Sequence, residues 1–175
     1  MRSATFAAVV SLVLLGTTTL AQSVTYDFDR AADFSKFKSY AWTRGTELVD
    51  QLNHLRVVRS IENQLAAKGL TRMETTANAD LFVSYHVSVD RNLRIDAYSS
   101  GWGGPFLGGM RSGRAITQEV LAGTLVVDLV AANTERIVWR GVASAELDPS
   151  ANPERRDKHM NKAAQKLFKN YPPKS

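Results

Sequence analysis

Cysteine is absent from all 175 residues of the sequence. Its absence excludes disulfide bonds, thiolate nucleophiles, cysteine-bound zinc and an acylated N-terminal cysteine. The three histidines, His54, His86 and His159, are widely separated in the sequence and have no clustered companions, so we predict no metal site. The fold must therefore be stabilised by packing alone.

Long apolar runs are also scarce. The apolar run at residues 4–15 is well short of the roughly 20 residues that a membrane-spanning helix needs. It follows Arg2 and precedes small residues ending at Ala21, which together form the three regions of a secretory signal peptide. We predict cleavage after Ala21 and a single domain over residues 22–175. The mature protein is then periplasmic or secreted, with no lipid anchor and no transmembrane anchor.

Dense clusters of one charge are missing as well. The chain has 22 basic and 17 acidic residues, and removal of the signal peptide takes away only Arg2, leaving a net charge of +4. The basic residues are spread along the chain, which is typical of a solvated surface. We therefore predict no nucleic-acid partner.

Glycine is concentrated in one stretch. Residues 99–113 contain six glycines, which forbid regular structure. The stretch lacks the Gly-Lys-Ser/Thr ending of a phosphate-binding loop, so we predict neither a nucleotide nor another cofactor. It is either a plain hairpin connection or a loop that contacts a partner or a membrane. The candidate contact residues are Trp102, Phe106, Leu107 and Met110.

Two apolar runs within residues 120–147 predict a β-hairpin at the centre of a sheet, around which the chain is organised. Each run has one charged exception, Asp128 in the first strand and Arg140 in the second. A three-residue loop at 133–135 places these two residues opposite each other, whereas an even loop separates them. We prefer the odd loop because it collects the bulkiest residues, including Ile137, on one face. Asp128 and Arg140 then form a candidate structural ion pair.

The other segments complete an α+β pattern. Alternating residues at 24–28, 39–42, 80–89 and 91–98 predict further strands. Apolar residues recur every three or four positions over 47–68 and 154–170, which predicts two amphipathic helices. The predicted apolar face of the first helix is Leu48, Leu52, Leu55, Val58, Ile61 and Leu65. We predict an antiparallel β-sheet packed on one face by these two helices.

Aromatic residues are frequent near the mature N-terminus. They are Tyr26, Phe28, Phe34, Phe37, Tyr40 and Trp42. Such a cluster can form a stacking platform for sugars or bases, but no polar companions recur at a fixed spacing. We therefore interpret the cluster as core.

Catalytic patterns are weak. His86 has Ser84 and Ser88 on either side, yet side chains two residues apart on a strand do not reach each other, and no third acid or strand-to-helix elbow follows. We interpret His54 and His86 as solvated surface groups. Hydrolysis by paired carboxylates stays open as an alternative, because a sequence does not show the separation of two acids. The scattered acids are Asp80, Asp90, Asp96 and Asp128.

Several short segments follow one another in an order that carries a resemblance. They are Asp33-Phe34-Ser35, Tyr40-Ala41-Trp42, Lys68-Gly69, Ala79-Asp80-Leu81, Gly123-Thr124-Leu125, Trp139-Arg140-Gly141 and Tyr171-Pro172-Pro173. Together they resemble the bacterial family called domain of unknown function 4136, whose members are small exported envelope proteins, often lipoproteins. The chain departs from the lipoprotein members by lacking an acylated cysteine, and it has Ala131 where an acid is expected. The resemblance implies fold and compartment, but no activity and no catalytic residue.

These observations favour a noncatalytic envelope module that binds an unknown envelope protein or a small ligand, or has an accessory structural role. One alternative is a periplasmic hydrolase that uses carboxylates. The other is a surface protein associated with anionic lipid or glycan. A concave pocket with convergent polar groups, or a smooth body with a protruding apolar loop, distinguishes these functions in a structure.

Overall fold

The computed structural model describes residues 22–46, 48–99 and 113–174. In chain order the main elements are β1 (Gln22–Phe28), β2 (Ser39–Trp42), α1 (Gln51–Ala67), β3 (Thr71–Arg72), β4 (Leu81–Ser99), β5 (Gly113–Ala131), β6 (Arg136–Leu147) and α2 (Pro153–Leu167). Short 3-10 turns occupy Phe34–Lys36 and Thr76–Asn78. The predicted α+β class is confirmed. The predicted signal peptide, residues 1–21, lies outside the described residues.

The sheet is mixed, so the prediction of a purely antiparallel sheet is wrong. Its six strands have the order β1-β6-β5-β4-β2-β3. The pairs β1-β6, β6-β5 and β5-β4 are antiparallel, but β2 runs parallel to both β4 and β3. The parallel pairing is made possible by α1, a helix of 17 residues after β2. The helix carries the chain back along the sheet, so that a following strand can run in the same direction as β2. Parallel strands need a crossover connection of about a dozen residues or more, and often a helix.

One continuous strand replaces the two predicted at 80–89 and 91–98. β4 and β5 have 19 residues each and pair from Leu81 with Ala131 to Ser99 with Gly113. The exposed Asp90 pairs with Ala122 inside this ladder. A charged side chain does not break a strand because the ladder is made by backbone N–H and C=O groups.

The hairpin between β5 and β6 keeps Asp128 opposite Arg140, although its loop differs from the predicted one. Ala131 pairs with Arg136, so the loop holds four residues, 132–135, and the expected odd loop is wrong. A β-bulge next to Leu129 and Val130 inserts one extra residue in β6 and restores the pairing.

The bulge also exchanges the faces of two neighbouring side chains. Val138 is buried, whereas Ile137 is 45% exposed, so the prediction that Ile137 faces the core is wrong. Because successive strand residues alternate between the two faces, one inserted residue is enough to reverse them.

Both helices begin at side-chain caps. Asp50 accepts hydrogen bonds from the backbone N–H groups of Leu52 and Asn53, so α1 begins later than the predicted residue 47. Asn152 caps α2 in the same way and Pro153 takes its first position. Gly69 follows α1 with a φ of 83°, the left-handed conformation expected of a glycine that ends a helix. No helix among the described residues is long and apolar enough to cross a bilayer.

The core lies between one face of the sheet and the two helices. α1 buries Val57, Ile61 and Leu65, whereas Leu52 and Leu55 are 65% and 49% exposed, which corrects part of its predicted face. On the side of α2, Trp139 stacks on Phe168 with ring centroids 5.0 Å apart. The largest fully buried side chains are Trp139, Tyr40, Phe168, Ile61, Leu65, Leu81, Leu129, Leu167, Val57, Val83 and Val127.

Candidate functional site

The face of the sheet that points away from the helices, called here the outer face, contains Asp128 and Arg140. Arg140 Nε donates to Asp128 Oδ1 at 2.6 Å, and Arg140 Nη2 donates to Asp128 Oδ2 at 2.7 Å. The Asp128 side chain is only 5% exposed, whereas that of Arg140 is 49% exposed. The hydrogen bonds that Arg140 donates to Asp128 raise the pKa of Arg140. The carboxylate is therefore held by a bidentate cation and is not free to serve as a base.

His86 lies beside this pair. Its Nε2 is 3.8 Å from Asp128 Oδ2, and its Nδ1 accepts a hydrogen bond from the backbone N–H of Thr46 at 3.1 Å. Because Nδ1 is an acceptor, the neutral ring carries its proton on Nε2, the nitrogen that faces Asp128. Within the described residues His86 makes no hydrogen bond to Ser84 or Ser88. The structure does not bring a nucleophile and a base together here.

Asp80, which directly precedes β4, forms hydrogen bonds with the beginning of β2. Its Oδ2 accepts from the backbone N–H groups of Lys38 and Ser39, each at 2.9 Å, and from the Ser39 hydroxyl at 2.8 Å. The hydrogen bond from the Lys38 backbone, followed by that from the Ser39 side chain, lowers the pKa of Asp80. These contacts give Asp80 a structural role. Asp90 is exposed, and the side chain of Asp96 lies outside the described set.

Replacing Asp80 by asparagine is expected to lower the free energy of unfolding by about 1–2 kcal/mol at pH 7, because charge-assisted hydrogen bonds are lost. The folded pKa lies below the unfolded value of about 3.9, so this stabilisation is present above that pH and disappears as the pH falls through the folded pKa. Urea denaturation at pH 7 and pH 3 measures the difference. The exposed Asp90→Asn change is the control and should cost less than about 0.5 kcal/mol. An Asp80 effect of equal size at both pH values would contradict this role.

His54 is less solvated than predicted. Its Nδ1 lies 2.5 Å from the hydroxyl of the buried Tyr85, which also contacts the backbone N–H of Leu48 at 3.4 Å. The histidine therefore satisfies a buried hydroxyl under the first turn of α1. No local pattern in the sequence indicates this contact, since the partners are 31 positions apart.

Residues 100–112 of the glycine-rich stretch lie outside the described residues. Trp102, Phe106, Leu107 and Met110 all belong to it, and their contact with a partner stays a prediction. Within the described parts of the chain, no three metal-binding side chains come together.

A cleft that the sequence did not reveal lies where the chain ends, and we call it the terminal cleft. Its volume is about 490 Å³, within the range of about 300–1,000 Å³ that is usual for small-molecule sites. It is lined by residues 31–35, 37 and 38, by Lys68 and Leu70, and by residues 171–173. Three segments that are distant in the sequence thus form one open concave surface.

Aromatic rings and prolines supply much of the apolar lining of the terminal cleft. Phe34 meets Phe37 and Tyr171 edge to face, with centroids 5.9 and 5.8 Å apart. Pro172 and Pro173 continue the lining beyond Tyr171. The interpretation of the N-terminal aromatics as core is incomplete here. Phe34 and Phe37 do pack partly against the core, but their other sides border the cleft.

Polar groups enter this apolar lining at few points. Lys38 and Lys68 supply two ammonium groups, and Asp33 supplies one carboxylate. Asp33 Oδ1 already accepts from the Ser35 hydroxyl at 2.6 Å and from its backbone N–H at 3.2 Å. A second, more polar cleft of about 450 Å³ shares Ala31, Ala32, Asp33 and Phe37 with the first and extends toward the loop at 132–134.

Comparison with known proteins supports the resemblance seen in the sequence. A family model described as domain of unknown function (DUF4136) matches residues 24–173. No curated protein matches the chain.

Solved structures share the fold at low sequence identity. A DUF4136 family protein from Bacteroides thetaiotaomicron has 13% identity and a TM-score of 0.54, with 86% of this chain and 96% of that one covered. A PelC dodecamer from Paraburkholderia phytofirmans has 11% identity and a TM-score of 0.52, with 85% and 95% covered. A PDZ domain protein from Parabacteroides distasonis has 16% identity and a TM-score of 0.57. The match covers 88% of this chain but only 37% of that longer protein.

Proposed function

Because the chain belongs to the DUF4136 family of domains of unknown function, we propose that it is a noncatalytic accessory protein of the bacterial envelope that binds a partner or a small ligand. The observation that carries this proposal is the terminal cleft, a concave and mainly apolar surface with a few polar groups at its border. Sites for small ligands have this composition in general.

The state of the carboxylates supports a noncatalytic role. Asp80 accepts hydrogen bonds from Lys38 and Ser39, and Asp128 accepts two from Arg140. Asp33, the acid in the terminal cleft, accepts a hydrogen bond from Ser35 in the same turn. A carboxylate pair for hydrolysis needs two acids with separated pKa values that face a shared cleft. The contacts of these three acids are instead those of structural groups.

Location in the envelope is part of the proposal. Residues 1–21 have the charged, apolar and small-residue regions of a signal peptide. We expect the mature protein to begin at Gln22 and to be recovered in the soluble periplasmic or secreted fraction. N-terminal sequencing of the fractionated protein measures this, and an uncleaved form beginning at Met1 in the membrane fraction would contradict it.

Photo-crosslinking in the intact envelope tests the binding role. Benzoylphenylalanine replaces Phe37, which lines the terminal cleft, or Tyr26, a 40% exposed aromatic residue outside it. The two variants make the same kind of change, an aromatic side chain replaced by a larger one. We expect the Phe37 label to capture a defined product that the Tyr26 label does not. Identical products from both labels, or none from the cleft, would contradict the proposal.

A further inference from the structure

We propose that the terminal cleft binds an organic anion, a small molecule with a flat or aliphatic apolar body and one carboxylate or phosphate group. This inference rests on the proposed binding function and names the class of ligand. It is carried by three features of the cleft: its aromatic lining, a buried hydroxyl that has no partner among the described residues, and an excess of positive charge.

The lining accommodates the apolar body. Phe34 and Phe37 are partly buried, so one side of each ring is supported by the core while the other borders the cleft. Their edge-to-face arrangement fixes both rings in place. Leu70 and Pro172 add rigid apolar surface beside them. A preformed surface of this kind binds an apolar group at a small cost in side-chain entropy.

Tyr171 supplies a hydrogen-bond donor. The residue is only 3% exposed, and its hydroxyl has no hydrogen-bond partner among the residues that the structure describes. The hydroxyl oxygen is not fully enclosed by protein and retains some accessible surface. Tyr171 also lines the terminal cleft. Burial raises the pKa of Tyr171, which keeps the phenol protonated. A protonated hydroxyl without a partner suits an anionic acceptor.

The charges favour an anion as well. Among the described residues Lys38 makes no ion pair, although its charge contributes to lowering the pKa of the nearby Asp80. Within the same residues the one contact of Lys68 Nζ is the Lys169 carbonyl at 3.5 Å. The one acid in the lining, Asp33, is satisfied by Ser35 and faces Lys36 Nζ at 3.5 Å. Two ammonium groups against one occupied carboxylate leave a net positive cleft, which disfavours a cationic ligand and attracts an anionic one.

A matched pair of probes tests the charge requirement. 2-Naphthoate and 2-naphthamide share the same rings, but only the first is an anion. Titration of the mature protein, followed by amide chemical shifts, should show that naphthoate binds about tenfold more tightly than the amide. The shift changes should centre on residues 34–38 and 171–173.

Variants assign the effect to the proposed groups. Lys38→Met should weaken naphthoate binding several-fold and leave naphthamide binding unchanged. Tyr171→Phe should weaken naphthoate binding several-fold and naphthamide binding less, because an amide carbonyl also accepts a hydrogen bond but more weakly than a carboxylate. Lys158→Met, an exposed lysine of α2 outside the cleft, is the control and should change neither. Equal affinity for the two probes would overturn the anion inference while leaving a binding cleft in place. Absence of binding by either probe at millimolar concentration would also overturn it, and the crosslinking at Phe37 then decides the proposed function separately.

Discussion

A single methyl group added at Gly45 is expected to destabilise the protein by about 3 kcal/mol or more. A Cβ atom at this position would overlap the Tyr85 carbonyl oxygen and would lie 3.0 Å from two further backbone atoms of Tyr85. Neither chain can move aside easily. Thr43 on one side donates to Val83 of β4, and Thr46 on the other accepts from Val87. The close approach of these backbones therefore requires glycine.

Gly69→Ala is the matched control for this change. Gly69 has a φ of 83°, but no atom lies within 4 Å of the position that an alanine methyl group would take. The cost should be limited to the left-handed backbone, about 1 kcal/mol. Denaturant unfolding of both variants measures the difference. Equal losses would show that the segment at Gly45 yields to the methyl group and that its contact with β4 is not tight.

The second large effect is an asymmetry between Asp128 and Arg140. Arg140→Gln leaves a carboxylate with a 5% exposed side chain without its cation, and we expect a loss of about 3 kcal/mol. Asp128→Asn leaves a half-exposed guanidinium that water solvates, so we expect about 1 kcal/mol. The two changes break the same contact, but only one leaves a buried charge unpaired.

Unfolding of the two single variants and the double variant tests this pair. The double change should cost less than the sum of the single changes, because both remove one interaction. Strictly additive losses, or a larger cost for Asp128→Asn than for Arg140→Gln, would contradict the geometry given above. His86 is close enough to contribute to the coupling, so the same cycle with His86→Gln as background measures its share.

The hairpin shows what alternation in a sequence does and does not determine. The pattern places Asp128 opposite Arg140 and puts Leu125, Val127 and Leu129 in the core, as observed. It does not reveal the bulge, because an extra residue changes the backbone without changing the period of the neighbouring segments. Two differences from the predicted register, the four-residue loop and the bulge, offset each other.

The face of α1 is only partly predictable for a different reason. Ile61 and Leu65 fit the apolar period, but the side of α1 that meets α2 is polar. Ser60 donates to Asn161 at 2.9 Å and Arg56 pairs with Asp157 at 2.7 Å. Hydrophobic periodicity does not report a polar helix contact, so it assigns Leu52 and Leu55 to the core instead.

The terminal cleft is not predictable from local patterns. Its lining comes from three parts of the chain that only the sheet order and the end of α2 bring together. The sequence marks Phe34 and Phe37 as apolar, which agrees with their packing against the core. It also predicts a helix over 154–170 that ends before Pro172, but α2 ends earlier, at Leu167. A concave surface depends on how separate elements are placed, which no single stretch encodes.

The most direct test of a ligand in the terminal cleft is the mass of the intact protein isolated from its native envelope under nondenaturing conditions. Ala31 is exposed and lines the cleft, so Ala31→Trp fills it without disturbing the core. Ala77→Trp places the same side chain at an exposed position outside the cleft. We predict an additional bound mass on the wild type and on Ala77→Trp, and its loss from Ala31→Trp. The same bound mass on all three proteins, or none on any of them, would contradict the account.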